Sequence, residues 1–229
     1  MNIFKNEFVG WKKLEVAWLL IACSVITGLS IYWGDTLMGI ISATTGVACV
    51  VCTGKGKLSA YLFGLINCVL YALISYEAKY WGEVVLNVIY YIPMQFYGFY
   101  IWKNNMNKET HEVNKRHMTF KGRVLLLFSL CIVTIFGGFL LSLTNDPMPY
   151  VDAFTTGASI IAMIISIKMY SEQWWIWCAV NIFSIYLWYG DLMKDSDNFA
   201  TLLMWCVYLL NAIIMLIKWE KEIKHNTSN

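Results

Sequence analysis

The chain has 229 residues, 59% of them hydrophobic and only 14% charged, with a mean hydropathy of +0.55 and a formal charge of +2. Soluble domains carry about a quarter charged residues and slightly under half apolar ones. A water-soluble fold is therefore excluded, and one all-α integral membrane domain is expected over residues 1–229. The seven cysteines, an odd number all set in apolar stretches, offer neither a disulfide framework nor a zinc site.

Eight apolar segments fit the roughly 20 residues needed to cross a bilayer core. In chain order they are 14–33, 36–52, 58–77, 81–102, 123–143, 150–168, 173–192 and 198–218. With almost no water to satisfy backbone groups, each must be a helix. Turn residues separate them at Gly34-Asp35, Gly54-Lys55-Gly56-Lys57, Asn145-Asp146-Pro147 and Asp195-Ser196-Asp197-Asn198. The first segment is long enough to span, and no small-residue cleavage motif follows it, so it reads as a helix rather than a signal peptide. With the N-terminus placed in the cytoplasm, only Lys79 and Lys194 of the 17 Lys and Arg fall outside. One helix more or fewer would scramble this positive-inside bias. The loop 103–122 is long, basic and cytoplasmic. It reads first as an orientation signal, and alternatively as a surface for lipid headgroups or a partner.

Two stretches repeat each other. Thr44-Thr45-Gly46 is followed by Asn67, Tyr91 and Trp102, and Thr155-Thr156-Gly157 by Asn181, Tyr208 and Trp219. The Tyr-to-Trp interval is eleven in both. The plan is a leading helix (14–33), a first repeat (36–102), a connector helix (123–143) and a second repeat (150–218). One connector helix returns the chain to its starting side, so the triplets run parallel, around a solute site near mid-membrane. The Thr-Thr-Gly runs read as close-packing residues.

Helical spacing gathers the polar residues into stripes. The seventh span aligns Trp174, Trp177, Asn181, Ser184 and Trp188; the fourth aligns Glu83, Asn87, Tyr91, Gln95 and Trp102. Asn67 and Tyr71 lie one turn apart in the third span, and Thr201, Trp205 and Tyr208 share a face in the last. Trp102, Trp188 and Trp219, near span ends, read as headgroup anchors, and Trp174 as either anchor or ligand contact. A lone Asn ties helices at least as often as it touches a ligand. Together, however, amides and flat aromatic faces suit a heteroaromatic solute that is neutral or carries a delocalised positive charge. The expected lining is Asn67, Asn87, Tyr91, Gln95, Trp174, Trp177 and Asn181.

Glu77, Glu83, Asp152 and Asp191 lie near outer span ends, and all three His lie in the cytoplasmic loop or tail, so no proton relay crosses the membrane. No nucleophile–base pair or nucleotide-binding motif is present, so neither catalytic residues nor a metal, cofactor or nucleic-acid partner is expected.

The run Glu172-Gln173-Trp174-Trp175-Ile176-Trp177, with Val180-Asn181, Ser184 and Leu187, resembles the ExWxxWxxVNxxSxxL signature of the PnuC (Pnu) vitamin transporters. Gly82 to Phe99 resembles the third core helix of that family. Tyr186-Leu187 stands here for its usual Leu-Tyr pair, and Asn87 for a frequent Gln. The resemblance, spanning about Trp33 to Trp219, implies a three-plus-one-plus-three core related to the SWEET sugar transporters. It implies a homotrimer in the bacterial plasma membrane with both termini cytoplasmic. It also implies import of nicotinamide riboside by facilitated diffusion, with trapping by phosphorylation inside. By match to the motif, Trp174, Trp177 and Asn181 would contact the solute, with Gln95 and Asn87 from the other repeat. Ser184, Tyr91, Asn67 and Tyr208 complete the expected substrate-binding set. The alternatives are another B-vitamin or nucleoside, such as thiamine, or a receptor that does not transport.

Overall fold

The computed structural model describes residues 7–34, 36–77, 84–144, 148–192 and 199–228. Lys79, Glu83, Lys194 and the turns at 145–147 and 195–198 lie outside the described residues, as do the side chains of Trp188, Asp191 and Thr201. Eight helices follow in order: α1 (Lys13–Tyr32), α2 (Leu37–Lys55), α3 (Ser59–Glu77), α4 (Ile92–Asn104), α5 (Phe120–Ser142), α6 (Pro149–Ile167), α7 (Gln173–Leu192) and α8 (Phe199–Ser228). A π-helical stretch, Leu86–Tyr91, leads into α4.

Among the described residues, five segments are long and apolar enough to cross a membrane: α1, α2, α5, α6 and Leu202–His225 of α8. The apolar part of α3 is shorter, Ser59–Ile74. α7 has the length, 20 residues, with Gln173 and Asn181 interrupting its apolar run.

Local chemistry sets the helix ends. The Thr36 hydroxyl accepts Gly39 N–H at 3.1 Å and that of Thr119 accepts Gly122 N–H at 3.2 Å, satisfying donors at the starts of α2 and α5. Gly56, at φ +79°, ends α2 in the left-handed region that glycine enters freely. The corresponding turn after α6 holds Met169 at φ +60°, where a side chain is strained.

Contacts divide the chain into two compact units, one formed by Met1–Asn114 with Phe199–Asn211 and the other by Lys115–Asn198 with Ala212–Asn229. In the first, Ala22 and Ile26 of α1, Val47 and Val51 of α2, and Val207 of α8 form a buried cluster. Asn211, 1% exposed, ties the same three helices: its carbonyl accepts Trp18 Nε1–H at 3.1 Å and its amide donates to Val50 O at 3.1 Å. A buried amide with both ends satisfied is strong interhelical glue in a membrane. Thr27 and Thr44 share a further hydrogen bond of 2.7 Å between α1 and α2. The leading helix is thus part of the core of this unit. In the second unit, α5 and α6 approach closely through glycines. Gly157 lies against Val133 and Gly138 against Tyr150, leaving no room for a Cβ, and Gly137 packs tightly on Ala153. The packing role expected of Thr-Thr-Gly is seen at Gly157. Cys49 and Cys52 have Cys-x-x-Cys spacing but are free thiols within α2.

The basic loop residues are built into the structure. Lys57, fully buried, donates to Val9 O (2.7 Å) and His111 O (2.9 Å), and Lys55 meets Glu15 (2.7 Å) and Glu112 (2.8 Å). The loop after α4 bonds to the turn of each unit at matched places. Val113 N–H donates to Gly56 O, and Arg116 N–H to Met169 O, both at 3.1 Å. This segment is a structural strap besides any role in orientation.

Candidate functional site

The π-helical stretch has a local cause. Pro93 has no N–H to offer and crowds the preceding turn, and the chain responds with a wider turn in which Ile92 N–H bonds to Asn87 O, five residues back. In an ideal α-helix residues eight apart diverge by about 80°. The extra residue of a π-turn removes most of that drift, and both Asn87 (4% exposed) and Gln95 (7%) point inward. Such bulges are frequent at functional sites. The Gln95 amide lies flat on Gly64 of α3, where a Cβ would stand 2.6 Å from Oε1, and its Nε2–H donates to Cys68 Sγ at 3.7 Å. Tyr91 is half-buried beside Tyr90, their rings 5.2 Å apart.

A second polar group in the same unit surrounds Gly46 in the middle of α2. Asn67 Nδ2 donates to Ser42 O at 2.7 Å and Oγ at 3.2 Å, and stands 3.0 Å from where a Gly46 Cβ would be. The Tyr208 hydroxyl closes on that same point. Asn67 and Tyr208, from different sequence repeats, therefore meet in one unit. Tyr71, one turn from Asn67, is exposed instead.

In the second unit α7 carries Trp174 (2% exposed), Asn181 (3%) and Ser184 (4%) on one buried stripe, with Trp177 half-buried between them. Neither Asn181 nor Ser184 has a hydrogen-bond partner among the described residues, and the Trp174 indole N–H has none either. Buried amides and hydroxyls are normally paired. Uncommitted ones, aligned with aromatic rings, leave hydrogen-bonding capacity for a solute.

Two expectations need correction. Trp102 and Trp219 are not headgroup anchors, since both are fully buried at 0% exposure. Each stands edge-on to an aromatic ring of its own unit: Trp102 against Tyr61 at 5.0 Å, and Trp219 against Trp174 at 5.7 Å. Glycine and small residues such as Gly98, which sits against Tyr61, make room for them. A Trp at the end of an apolar run reads alike in both cases, because position in sequence does not show which way the ring turns.

Glu172, the acidic residue of the Trp-containing motif, makes structural contacts. Its carboxylate accepts Met118 N–H at 3.1 Å and Arg123 Nε–H at 2.7 Å. Ser171 Oγ donates to Glu220 at 2.8 Å, and Lys115 pairs with Glu222. The start of α7, which positions Trp174, is thereby held by the loop and by the end of α8. Asn211 and Trp205 were available to sequence reasoning as polar or aromatic residues one turn either side of Tyr208, but face alone does not single them out.

Eight helices with uncharged polar side chains buried along their apolar lengths define a multi-pass membrane protein of the transporter class. The profile of the nicotinamide mononucleotide transporter family matches residues 36–221, and the chain belongs to that family. It is 36% identical over 230 residues to the nicotinamide riboside transporter PnuC of Neisseria mucosa, covering 98% of this chain and 88% of that one. The PnuC of Haemophilus influenzae is 33% identical over 223 residues, covering 96% of each. A crystal structure of the vitamin B3 transporter PnuC matches the fold with a TM-score of 0.83 at 35% identity, covering 97% of both chains. These relatives are transporters rather than enzymes.

Proposed function

We propose that this chain carries nicotinamide riboside into the cell as a uniporter, its net uptake drawn by phosphorylation of the solute inside. The observation that carries this reading is the α7 stripe, where Asn181 and Ser184 are buried beside Trp174 and Trp177 with no hydrogen-bond partner among the described residues. The solute follows from the relatives, two of which are nicotinamide riboside transporters over nearly the whole chain. A pyridinium ring suits indole faces, and amides suit its carboxamide. The residues proposed as solute contacts are Trp174, Trp177, Asn181, Ser184, Asn67, Asn87, Tyr91, Gln95 and Tyr208.

The name of the family points to a second reading, the mononucleotide. Its phosphate would call for Arg, Lys or a helix N-terminus at the site. None of the nine contact residues is charged, and the buried Lys55 and Lys57 are occupied by carboxylates and backbone carbonyls. The riboside, which carries a delocalised positive charge and no phosphate, is favoured over the mononucleotide on this ground.

The arrangement we propose is a leading helix, two parallel three-helix repeats (36–102 and 150–218) and a connector (123–143). The termini are cytoplasmic in a bacterial plasma membrane, and the oligomer is a trimer by resemblance. Matched features support the repeats: buried Trp102 and Trp219, close-packed Gly46 and Gly157, and the left-handed Gly56 and Met169. The test of function is calorimetric titration of the purified chain with nicotinamide riboside, nicotinamide mononucleotide and thiamine. Binding of the riboside alone is expected; preference for the mononucleotide or thiamine overturns the assignment.

A further inference from the structure

The strap after α4 is fastened to the turn of the second unit and then presents a titratable side chain. Arg116 N–H donates to Met169 O at 3.1 Å, and Arg116 O accepts Ser171 N–H at 2.9 Å. The next residue, His117, lies between two carboxylates. Its Nδ1 is 3.7 Å from Glu172, just before α7, and its Nε2 is 3.6 Å from Glu220 in the last part of α8. Both separations exceed a hydrogen bond, and Nδ1 is buried with no hydrogen-bond partner. The other charges nearby have partners already. Arg123 of α5 donates to Glu172 at 2.7 Å, Lys115 of the strap meets Glu222, and Lys218 of α8 stands 3.8 Å from Glu222. The Arg116 guanidinium lies over the Tyr170 ring at 4.6 Å. Glu220 accepts Ser171 Oγ–H at 2.8 Å, and among the described residues it has no partner of opposite charge other than His117.

We propose that His117 is a pH-sensitive latch of the second unit, which closes on Glu172 and Glu220 when the imidazole takes up a proton. A neutral imidazole has one N–H, so it donates toward one carboxylate and turns a lone pair on the other. An imidazolium donates toward both, and its charge attracts both. The attraction is therefore present at acid pH and lost as pH rises through the ordinary imidazole range, around 6.5. The latch brackets the proposed solute platform: Glu172 stands two residues before Trp174, and Glu220 directly follows Trp219, which packs on Trp174. Closing it ties the start of α7 to the end of α8, so acid on the side proposed as cytoplasmic slows the movements that passage needs. The matched place in the first unit is built differently. There Lys57 donates to Val9 O and His111 O, and ammonium groups ordinarily hold their proton well above the range in which imidazoles lose theirs. The latch regulates passage without coupling it to a proton gradient, and it goes beyond the choice of solute.

The experiment compares the purified full-length chain with its His117→Gln variant, which keeps a hydrogen-bonding side chain and takes up no proton. Hydrogen exchange at the Met118 amide, which donates to Glu172 at 3.1 Å, reports on the latch locally. Parent and variant are compared at one pH at a time, so the intrinsic exchange rate cancels. At about pH 5.5 the parent amide should exchange about two- to fivefold more slowly than that of the variant, and at about pH 8 the two should agree. Entry of labelled nicotinamide riboside into liposomes is then followed with the same pH on both sides, a range in which the solute has no titrating group. Entry through the parent should be about two- to fivefold slower at about pH 5.5 than at about pH 8, and entry through His117→Gln should be equal at both. Glu220→Gln keeps an acceptor for Ser171 and should lose the pH response in the same way; it replaces His117→Gln if that variant does not fold. A parent without a pH response, or variants that keep the response of the parent, overturn the latch. If the parent passes no riboside at either pH, the transport reading falls, and exchange at Met118 alone decides the latch.

Discussion

The Trp174 ring stands edge-on to that of Trp219, centroids 5.7 Å apart and planes at 79°. Trp219 is fully buried, and the Lys115 ammonium lies 5.5 Å from its ring centre. The ring proposed to meet the solute is therefore backed by a second, fully buried indole. Edge-to-face pairs contribute about 0.5–1.5 kcal/mol beyond burial. Trp219→Ala should destabilise the protein by about 3–5 kcal/mol. Trp219→Phe should keep the contact and most of the stability. Thermal unfolding in detergent with and without solute checks this. An unchanged unfolding temperature for Trp219→Ala would contradict it.

Trp177 gives the cleaner test of solute contact, because it is half-buried and no ring of the described residues stacks on it. Trp177→Ala should weaken binding about tenfold, the equivalent of roughly 1.4 kcal/mol, with little change in unfolding temperature. Asn181→Ala should weaken it by a similar factor. Asn181→Asp should weaken it further, since a carboxylate at mid-membrane must be desolvated. Titrations of all three that match the parent would remove α7 from the site.

Gly64→Ala probes Gln95. The added methyl would stand 2.6 Å from Oε1 and 2.9 Å from Cδ, so the amide must leave its place. Solute affinity should fall several-fold, as expected on loss of about one hydrogen bond. Adding Gln95→Ala to Gly64→Ala should recover stability and leave affinity low. Recovery of affinity in the double variant would show that Gln95 does not touch the solute.

Glu172 is conspicuous in sequence as the acid that opens the Trp-containing motif, yet its partners are Met118 N–H and Arg123. Glu172→Gln should lower stability by about 1 kcal/mol, because Arg123 is half exposed and water screens the pair. Hydrogen exchange at the Met118 amide should quicken, with solute affinity unchanged. A large loss of affinity with normal exchange would place Glu172 in the site instead.

The eight helices were legible because apolar length and turn residues are local signals, and the stripe of α7 was legible because 3.6-residue periodicity is regular there. The stripe through Asn87 and Gln95 reaches one face only through a π-turn, which no periodicity rule anticipates. The meeting of Asn67 with Tyr208 depends on which unit the first half of α8 joins, a tertiary choice that residues 199–211 do not announce. Trp102 and Trp219 misled for a related reason. Tryptophan serves equally at a headgroup boundary and in a packed core, and only the neighbours Tyr61 and Trp174 decide between them.

The central claim is passive passage of nicotinamide riboside, a cation without a phosphate, across the membrane, and one measurement tests it most directly. The purified chain is reconstituted alone into liposomes, and entry of labelled nicotinamide riboside is followed without sodium or proton gradients. Saturable entry that stops when internal and external concentrations are equal, and is unaffected by an ionophore, is the expected result. No entry above protein-free liposomes, or entry only when a sodium or proton gradient is imposed, would contradict it.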